Sequence, residues 1–97
     1  MAKLRSPVRV ETRKLLFGLK ATTFVCDARL QSAQFQNRRD PSRMIIVHRS
    51  TKTKGKWQTS HFDERGATGD VQDESCTAAL KELSPREWRL RDVSPKR

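Results

Sequence analysis

Three lysines beside a tryptophan are the residues best suited to chemistry in this sequence. Lys52, Lys54 and Lys56 alternate with threonine and glycine in the stretch STKTKGKW, which ends at Trp57. Alternate side chains of an extended segment lie on one face, so the three ammonium groups form a row that can follow a phosphate backbone. Trp57 is placed to stack on a base, although a buried core position is the commoner role of a tryptophan.

Arginines extend this basic stretch along the chain. Three of them precede the strand-like segment MIIVHR, and a fourth ends it. An alternative is that the lysines sit at a solvated hairpin tip and merely protect the edge of a sheet. We predict a nucleic-acid-binding set made of Arg38, Arg39, Arg43, Arg49, Lys52, Lys54, Lys56 and Trp57.

The charge of the chain is large and unevenly distributed. Its 97 residues include 21 Lys+Arg and 11 Asp+Glu, which gives a net charge of +10. Residues 1–58 hold 14 basic and 3 acidic residues (net +11), and residues 59–97 hold 7 basic and 8 acidic residues (net −1). Such an excess favours a polyanionic partner, because neutralising phosphates releases counterions. The alternative is a basic surface that only keeps the protein in solution.

A catalytic site finds little support in the sequence. His61 and Asp63 lie on the same face of an expected strand, about 7 Å apart along it, and a metal-dependent nuclease would use such a pair. No nucleophile, metal-ligand cluster or phosphate-binding glycine loop accompanies them. We therefore predict that the protein is not an enzyme and needs no cofactor.

The two cysteines, Cys26 and Cys76, are far apart in the sequence and form no CxxC motif. Isolated cysteines are most often small buried residues, and the spacing does not suit zinc. A disulfide is possible in principle, but the N-terminus MAKLRSPVRV has no apolar run typical of a secretory signal. No segment approaches the roughly 18 apolar residues of a membrane span. We expect a reduced, cytoplasmic protein with no membrane partner.

Periodicity and turn residues predict the elements that must position these groups. Helix formers favour a short helix over 11–20, and a helical stripe with an N-terminal cap favours another over 73–83. Strands are predicted over 22–30, 44–49, 57–64 and 69–72, with Gly55 in a hairpin loop and a turn at 40–42. The segment 85–93 alternates like a strand, yet Ser84-Pro85-Arg86-Glu87 also reads as a helix-capping box, and we favour the strand.

Together these elements predict an α+β fold. One or two helices would pack on a small antiparallel sheet of three to five strands. We expect a basic N-terminal arm at residues 1–10, a single domain at 11–93 and a C-terminal tail at 94–97.

The order of elements between residues 44 and 83 adds a resemblance. Gly55, Lys56 and Trp57 open the second of three strands, and Ala78, Ala79 and Leu80 lie in the helix that follows. This arrangement resembles the three-stranded sheet plus helix of AP2-type and integrase arm-type DNA-binding modules. The resemblance implies that Arg49, Lys54, Lys56 and Gln58 face the major groove. The second strand, WQTSHFDE, departs from that pattern because it lacks basic residues, and the third is acidic.

We therefore expect a small basic nucleic-acid-binding protein that contacts the phosphate backbone through a basic hairpin face. The alternative is a protein-interaction module, such as a phage- or mobile-element-type inhibitor or accessory protein that docks on a nucleic-acid-processing complex. The nucleic-acid hypothesis gains support if the basic residues near 38–43 and 52–56 share one surface, and it loses most of that support if they point apart.

Overall fold

A computed structural model describes residues 6–96 of the chain, and seven strands dominate it. Five strands form an antiparallel sheet in the order β6-β5-β4-β3-β7, and β1 and β2 form a separate hairpin. The bounds are β1 Val8–Lys14, β2 Lys20–Cys26, β3 Leu30–Asn37, β4 Met44–Arg49, β5 Trp57–Asp63, β6 Gly66–Asp73, α1 Cys76–Leu80 and β7 Trp88–Pro95, with a 3-10 turn at Leu16–Gly18.

The predicted α+β class is wrong, because the protein is mostly β. Strands hold 56% of the described residues and helices 9%. The α-helix α1 has five residues, and no helix in the described chain is long and apolar enough to cross a membrane. Two segments account for the error: residues 11–20, predicted as a helix, and residues 31–37, for which no strand was predicted.

The segment 11–20 forms the end of a β-hairpin instead of a helix. In β1 the β-branched residues Val8, Val10 and Thr12 occupy every second position, and β2 also contains β-branched residues such as Thr22 and Thr23. Such residues favour strands. Phe17 and Gly18 have φ values of 64° and 74°, which belong to the left-handed region that glycine enters freely. The helix formers around Leu15 suggested a helix from local preference alone. That preference is overridden by the pairing of β1 with β2, which extends along the whole length of both strands.

Strand β3 lies inside the five-stranded sheet, although its polar sequence led to no strand prediction. Ala33, Phe35 and Asn37 are buried, whereas Gln34 and Gln36 point to the opposite face of the sheet. β3 lies between β4 and β7 and pairs with both. Its glutamines lowered the apparent hydrophobicity, although one face of the strand is as buried as any in the protein.

Other predicted elements are confirmed. β4 occupies the residues predicted for it, Gly55 has a φ of 84° in the loop that follows, and 88–95 is a strand. Ser75 caps α1 by accepting a hydrogen bond from the Ala78 N–H at 3.1 Å. The predicted apolar stripe of Cys76, Ala79, Leu80 and Leu83 is buried, but the helix is shorter than the predicted 73–83, because Asp73 ends β6 and Leu83 follows the end of α1.

One face of the five-stranded sheet carries the core. Phe35 and Val47 are fully buried on this face, where α1 packs against β2 and β4, and the Phe24 ring of β2 lies against the Phe35 ring at a centroid distance of 4.9 Å. The other face carries alternate residues of the same strands, such as Gln34, Ile46 and Gln58, all partly exposed. This second surface, here called the open face, therefore remains available to solvent and ligands.

Cys26 and Cys76 form a disulfide that joins β2 to α1. The prediction of two reduced cysteines is therefore wrong. The sequence could not reveal the pairing, because the 50-residue separation closes only when β2 and the helix pack on the same sheet face.

The predicted arm and tail only partly fall within the described chain. β1 begins at Val8, which is buried, inside the stretch predicted as an arm. β7 continues to Pro95, inside the predicted tail. Residues 1–5 of the arm and Arg97 of the tail lie outside the described residues.

Candidate nucleic-acid interface

The structure separates two groups of cations that the sequence analysis expected on one surface. Residues 38–43 connect β3 to β4, and residues 50–56 connect β4 to β5. These connections lie at opposite ends of β4, whose six residues span about 17 Å. We call them the arginine end and the lysine end of the sheet. The predicted basic residues therefore do not form one continuous surface.

At the lysine end, Arg49 binds the protein itself. Its Nε donates to the Leu30 carbonyl and its Nη2 to the Ala28 carbonyl, both at 3.1 Å. Its guanidinium also lies over the Trp57 ring, 4.8 Å from the centroid. Trp57 is 7% exposed, so the ring belongs to the core and lacks a free face for a base.

The three lysines of this end differ in their partners. Lys56 forms an ion pair with Glu74. Lys52 and Lys54 are exposed, and within residues 6–96 their ammonium groups make no hydrogen bond or ion pair. The backbone of the loop is ordered by Ser50, whose Oγ accepts from the Lys52 and Thr53 N–H groups at 3.2 and 3.0 Å.

The face implied by the resemblance does not form here. Arg49 pairs with Trp57 across β4 and β5, whereas Gln58 pairs with His48 one position along. Successive strand residues point to opposite faces, so Arg49 and Gln58 lie on opposite sides of the sheet. Residues 44–83 do comprise three strands and a helix, but the resemblance to AP2-type and integrase arm-type modules stays a prediction.

At the arginine end, Arg38 is fixed against the segment before β7. Its Nε donates to the Pro85 carbonyl at 3.0 Å, and its backbone N–H donates to the Glu87 carbonyl at 2.8 Å. Arg39 is exposed and follows it in the loop. Arg43 points to the covered face, where its guanidinium lies 5.5 Å from the centre of the buried Trp88 ring.

The loop that carries these arginines is held by short polar contacts. The buried Asn37 accepts hydrogen bonds at Oδ1 from the Arg39 and Asp40 N–H groups, at 3.0 and 2.9 Å. Asp40 in turn accepts from the Ser42 hydroxyl at 2.6 Å. This hydrogen bond, with one from the Ser42 N–H, holds the pKa of Asp40 below its ordinary value of 3.8.

Two further arginines join this end from β7. Arg89 Nη2 and Arg91 Nη1 both donate to Gln36 Oε1, at 3.0 and 3.4 Å. The Gln36 amide is itself oriented by its Nε2 donating to the Pro41 carbonyl at 2.9 Å. Arg89 pairs with Gln36 across the strands, and Arg91 lies where the β3–β7 register shifts, a bulge that leaves it without a partner residue.

Arg38, Arg89 and Arg91 form what we call the arginine group, at one corner of the open face. Arg38 and Arg89 line a shallow cavity of about 190 Å³ together with Gln36, Asn37 and Pro41. Within residues 6–96, none of the three forms an ion pair with a carboxylate. Each guanidinium has five N–H donors, so several stay free for an anion.

Sequence reasoning missed Arg89 and Arg91 because they lie in the half of the chain with a net charge of −1. Their alternation with Trp88 and Leu90 did place both on the polar face of a predicted strand. Only the pairing of β7 with β3 brings them to Gln36 and Arg38.

The pair considered for catalysis does not extend into a metal site. His61 and Asp63 line a shallow cavity with Asp40 and Arg43. In the described part of the chain, no group of three or more His, Cys, Asp or Glu residues could hold a metal ion. The expectation that the protein is not an enzyme stays a prediction.

Comparison with known proteins gives no match. No protein-family model matches the chain, and no curated protein or solved structure shows significant similarity to it.

Proposed function

We propose that this protein binds nucleic acid by contacting phosphates through the arginine group. The observation that carries the proposal is a shared acceptor. Arg89 and Arg91 both donate to the side-chain oxygen Oε1 of Gln36, although their charges repel. A phosphate between or beside them would relieve that repulsion and accept two parallel N–H bonds from a guanidinium. The net charge of +10 supports the same partner through long-range attraction.

The neighbouring groups suit backbone contact more than base recognition. Arg38 borders the same cavity, and Arg39 extends from the same end of the sheet into solvent. The open face beside them offers amides and hydroxyls, such as Gln34 and Ser32, which donate to phosphate and sugar oxygens. Trp57 has no part in this proposal, because its ring is buried.

A salt titration of binding to random duplex and single-stranded DNA and RNA tests the proposal. The double variant Arg89→Gln/Arg91→Gln should reduce the slope of log affinity against log salt by about two units, since each lost phosphate contact removes roughly 0.9. Lys52→Gln/Lys54→Gln is the matched control, because it removes the same charge from the lysine end. We expect it to reduce the slope by less than about one unit.

Two results would contradict the proposal. One is absence of binding in dilute buffer, which would favour the protein-interaction module expected as the alternative. The other is an equal loss of slope in the two double variants, which would mean that binding follows total charge and not the arginine group.

The cytoplasmic location expected from the sequence stays a prediction. The Cys26–Cys76 disulfide weighs against it, because structural disulfides persist mainly in oxidising compartments. Counting free thiols in protein isolated in the presence of an alkylating agent distinguishes the reduced cysteines from the disulfide.

A further inference from the structure

The tip of the β1–β2 hairpin exposes an unusual concentration of apolar side chains. Leu16 is 80% exposed and Phe17 is 97% exposed, and Leu15 and Leu19 beside them are more than half exposed. Scattered apolar residues on a surface need no explanation, but a contiguous group marks an interaction site. The proposed phosphate-binding function makes no use of this group.

The turn itself does not explain the choice of Phe17. Phe17 and Gly18 have φ values of 64° and 74° and lie in the three-residue loop Leu16–Gly18, a left-handed conformation in which glycine and asparagine are preferred. A bulky side chain is strained in this region, and here it also gains no burial. The phenyl ring therefore satisfies neither the turn nor the core, which points to a contact outside the chain.

Cations surround the hairpin immediately below the tip. Lys14 and Lys20 are directly opposite each other in the strand register, and Arg13, next to Lys14, pairs with Glu11 at 3.9 Å between Nε and Oε1. All three are exposed. Like charges directly across two strands destabilise a hairpin, so this pair becomes favourable only when anions lie close to it.

We propose that the hairpin tip docks on an anionic lipid surface. Because Lys14 and Lys20 share one register position, the boundary between apolar tip and charged belt runs across the hairpin axis, as a planar interface requires. Leu16 and Phe17 would enter the acyl boundary while the two ammonium groups bind lipid phosphates and carboxylates. A protein groove would instead favour one apolar side of the hairpin and one polar side.

The hairpin is built to present its tip firmly. The Cys26–Cys76 disulfide and the buried Phe24 anchor the base of β2, and Lys20 lies about 20 Å along the strand from Cys26. At the tip, the Leu15 N–H donates to the Leu19 carbonyl at 2.6 Å. This bond reduces the number of unpaired backbone groups that would enter the apolar boundary.

This inference revises the expectation that the protein has no membrane partner. That expectation rested on the lack of a spanning segment, which has no bearing on a hairpin that reaches only the interface. It also goes beyond nucleic-acid binding, because a wedge between bases would bury one or two of the apolar side chains and leave the rest in a polar groove.

Sedimentation with vesicles tests the inference. Vesicles of phosphatidylcholine with roughly one third phosphatidylserine should bind the protein, and phosphatidylcholine vesicles should bind it far more weakly. Phe17→Asn should lower the affinity at least about tenfold, because the ring no longer leaves water. Lys14→Gln/Lys20→Gln should lower it about thirtyfold on the anionic vesicles, at roughly one kcal/mol for each lysine.

The controls separate lipid contact from misfolding. Phe17→Asn suits the left-handed turn and should leave the thermal midpoint unchanged or raised, and Leu16→Gln serves as a second variant in case it does not. Val71→Asn removes an exposed apolar residue of β6, and it should change vesicle binding less than about twofold.

The inference is overturned if anionic vesicles do not bind the protein, or if they bind Phe17→Asn and Leu16→Gln as well as the wild type. It is also overturned if Phe17→Asn weakens binding to duplex DNA or to a protein partner while vesicle binding is absent. Arg89→Gln/Arg91→Gln should retain the requirement for Phe17 in vesicle binding, which keeps this test separate from that of the arginine group.

Discussion

The two ends of the five-stranded sheet carry similar charges but use them differently. At the lysine end, Arg49 donates hydrogen bonds to two carbonyls and lies over the Trp57 ring, and Lys56 pairs with Glu74. The disulfide lies near this end. At the arginine end, Arg89 and Arg91 share one amide oxygen and keep most of their donors free. Each end therefore has cations that contact the protein and cations with free donors, but only at the arginine end do two guanidinium groups converge on one acceptor.

The difference shows that the density of cations in a sequence does not indicate which of them keep donors free for a ligand. The stretch 49–56 has the densest positive charge, yet half of its cations are engaged by the protein. A binding site needs groups that are fixed and also have donors to spare, because ordering loose side chains on binding loses conformational entropy. Arg89 and Arg91 meet both conditions.

The largest expected effect comes from removing the disulfide at the lysine end. Cys26→Ser/Cys76→Ser should lower the free energy of unfolding by about 4 kcal/mol, since the bond closes a 50-residue separation and restricts the unfolded chain. Urea denaturation measures the change. Nucleic-acid binding of the remaining folded protein should persist, and its loss would show that the two ends are not independent.

Arg49→Ala should have the next largest effect. It removes two hydrogen bonds from a charged donor and the contact with Trp57, so the free energy of unfolding should fall by about 3 kcal/mol. Lys52→Ala, three residues away and exposed, should change it by less than about 0.5 kcal/mol. Equal stabilities of the two variants would contradict the structural role assigned to Arg49.

Substitutions of Gln36 test the arginine end with a smaller change. Gln36→Glu places a carboxylate between Arg89 and Arg91, so affinity for random duplex should fall about tenfold and the salt slope by about one unit. Gln36→Leu removes the shared acceptor but no charge, and the slope should be retained. A stronger loss with leucine than with glutamate would mean that Gln36 acts through packing.

The smallest effect concerns two carboxylates, one at each end. The Arg29 guanidinium holds the pKa of Asp27 below its ordinary value of 3.8, whereas the Ser42 hydroxyl does so for Asp40. A lowered pKa means that both contribute stability above about pH 4, which is lost as pH falls through the folded-state pKa. Added salt should raise the pKa of Asp27 more than that of Asp40, because salt screens an ion pair. NMR titration of the two carboxyl groups at low and high salt measures this.

Local patterns were sufficient for several elements. β-Branched residues placed β4, Gly55 marked its hairpin loop, and the capped apolar stripe placed α1. These succeeded because each pattern is satisfied within one or two neighbouring segments. Local patterns did not predict β3, because its polar residues lie on the open face and conceal the strand. They also gave the wrong element for residues 11–20, because leucines that favour a helix lie there at an exposed turn.

The sequence by itself determined the positive charge, the central hairpins and the apolar stripe of α1, because composition and short-range periodicity encode these. Only the tertiary structure decided which cations meet. Residues 38–43 and 50–56 precede and follow β4 in the sequence, so they lie at its opposite ends in any sheet order, whereas only the pairing of β7 with β3 brings Arg89 and Arg91 to Gln36. Strand pairing depends on the free energy of the whole sheet, so no local stretch of residues records it.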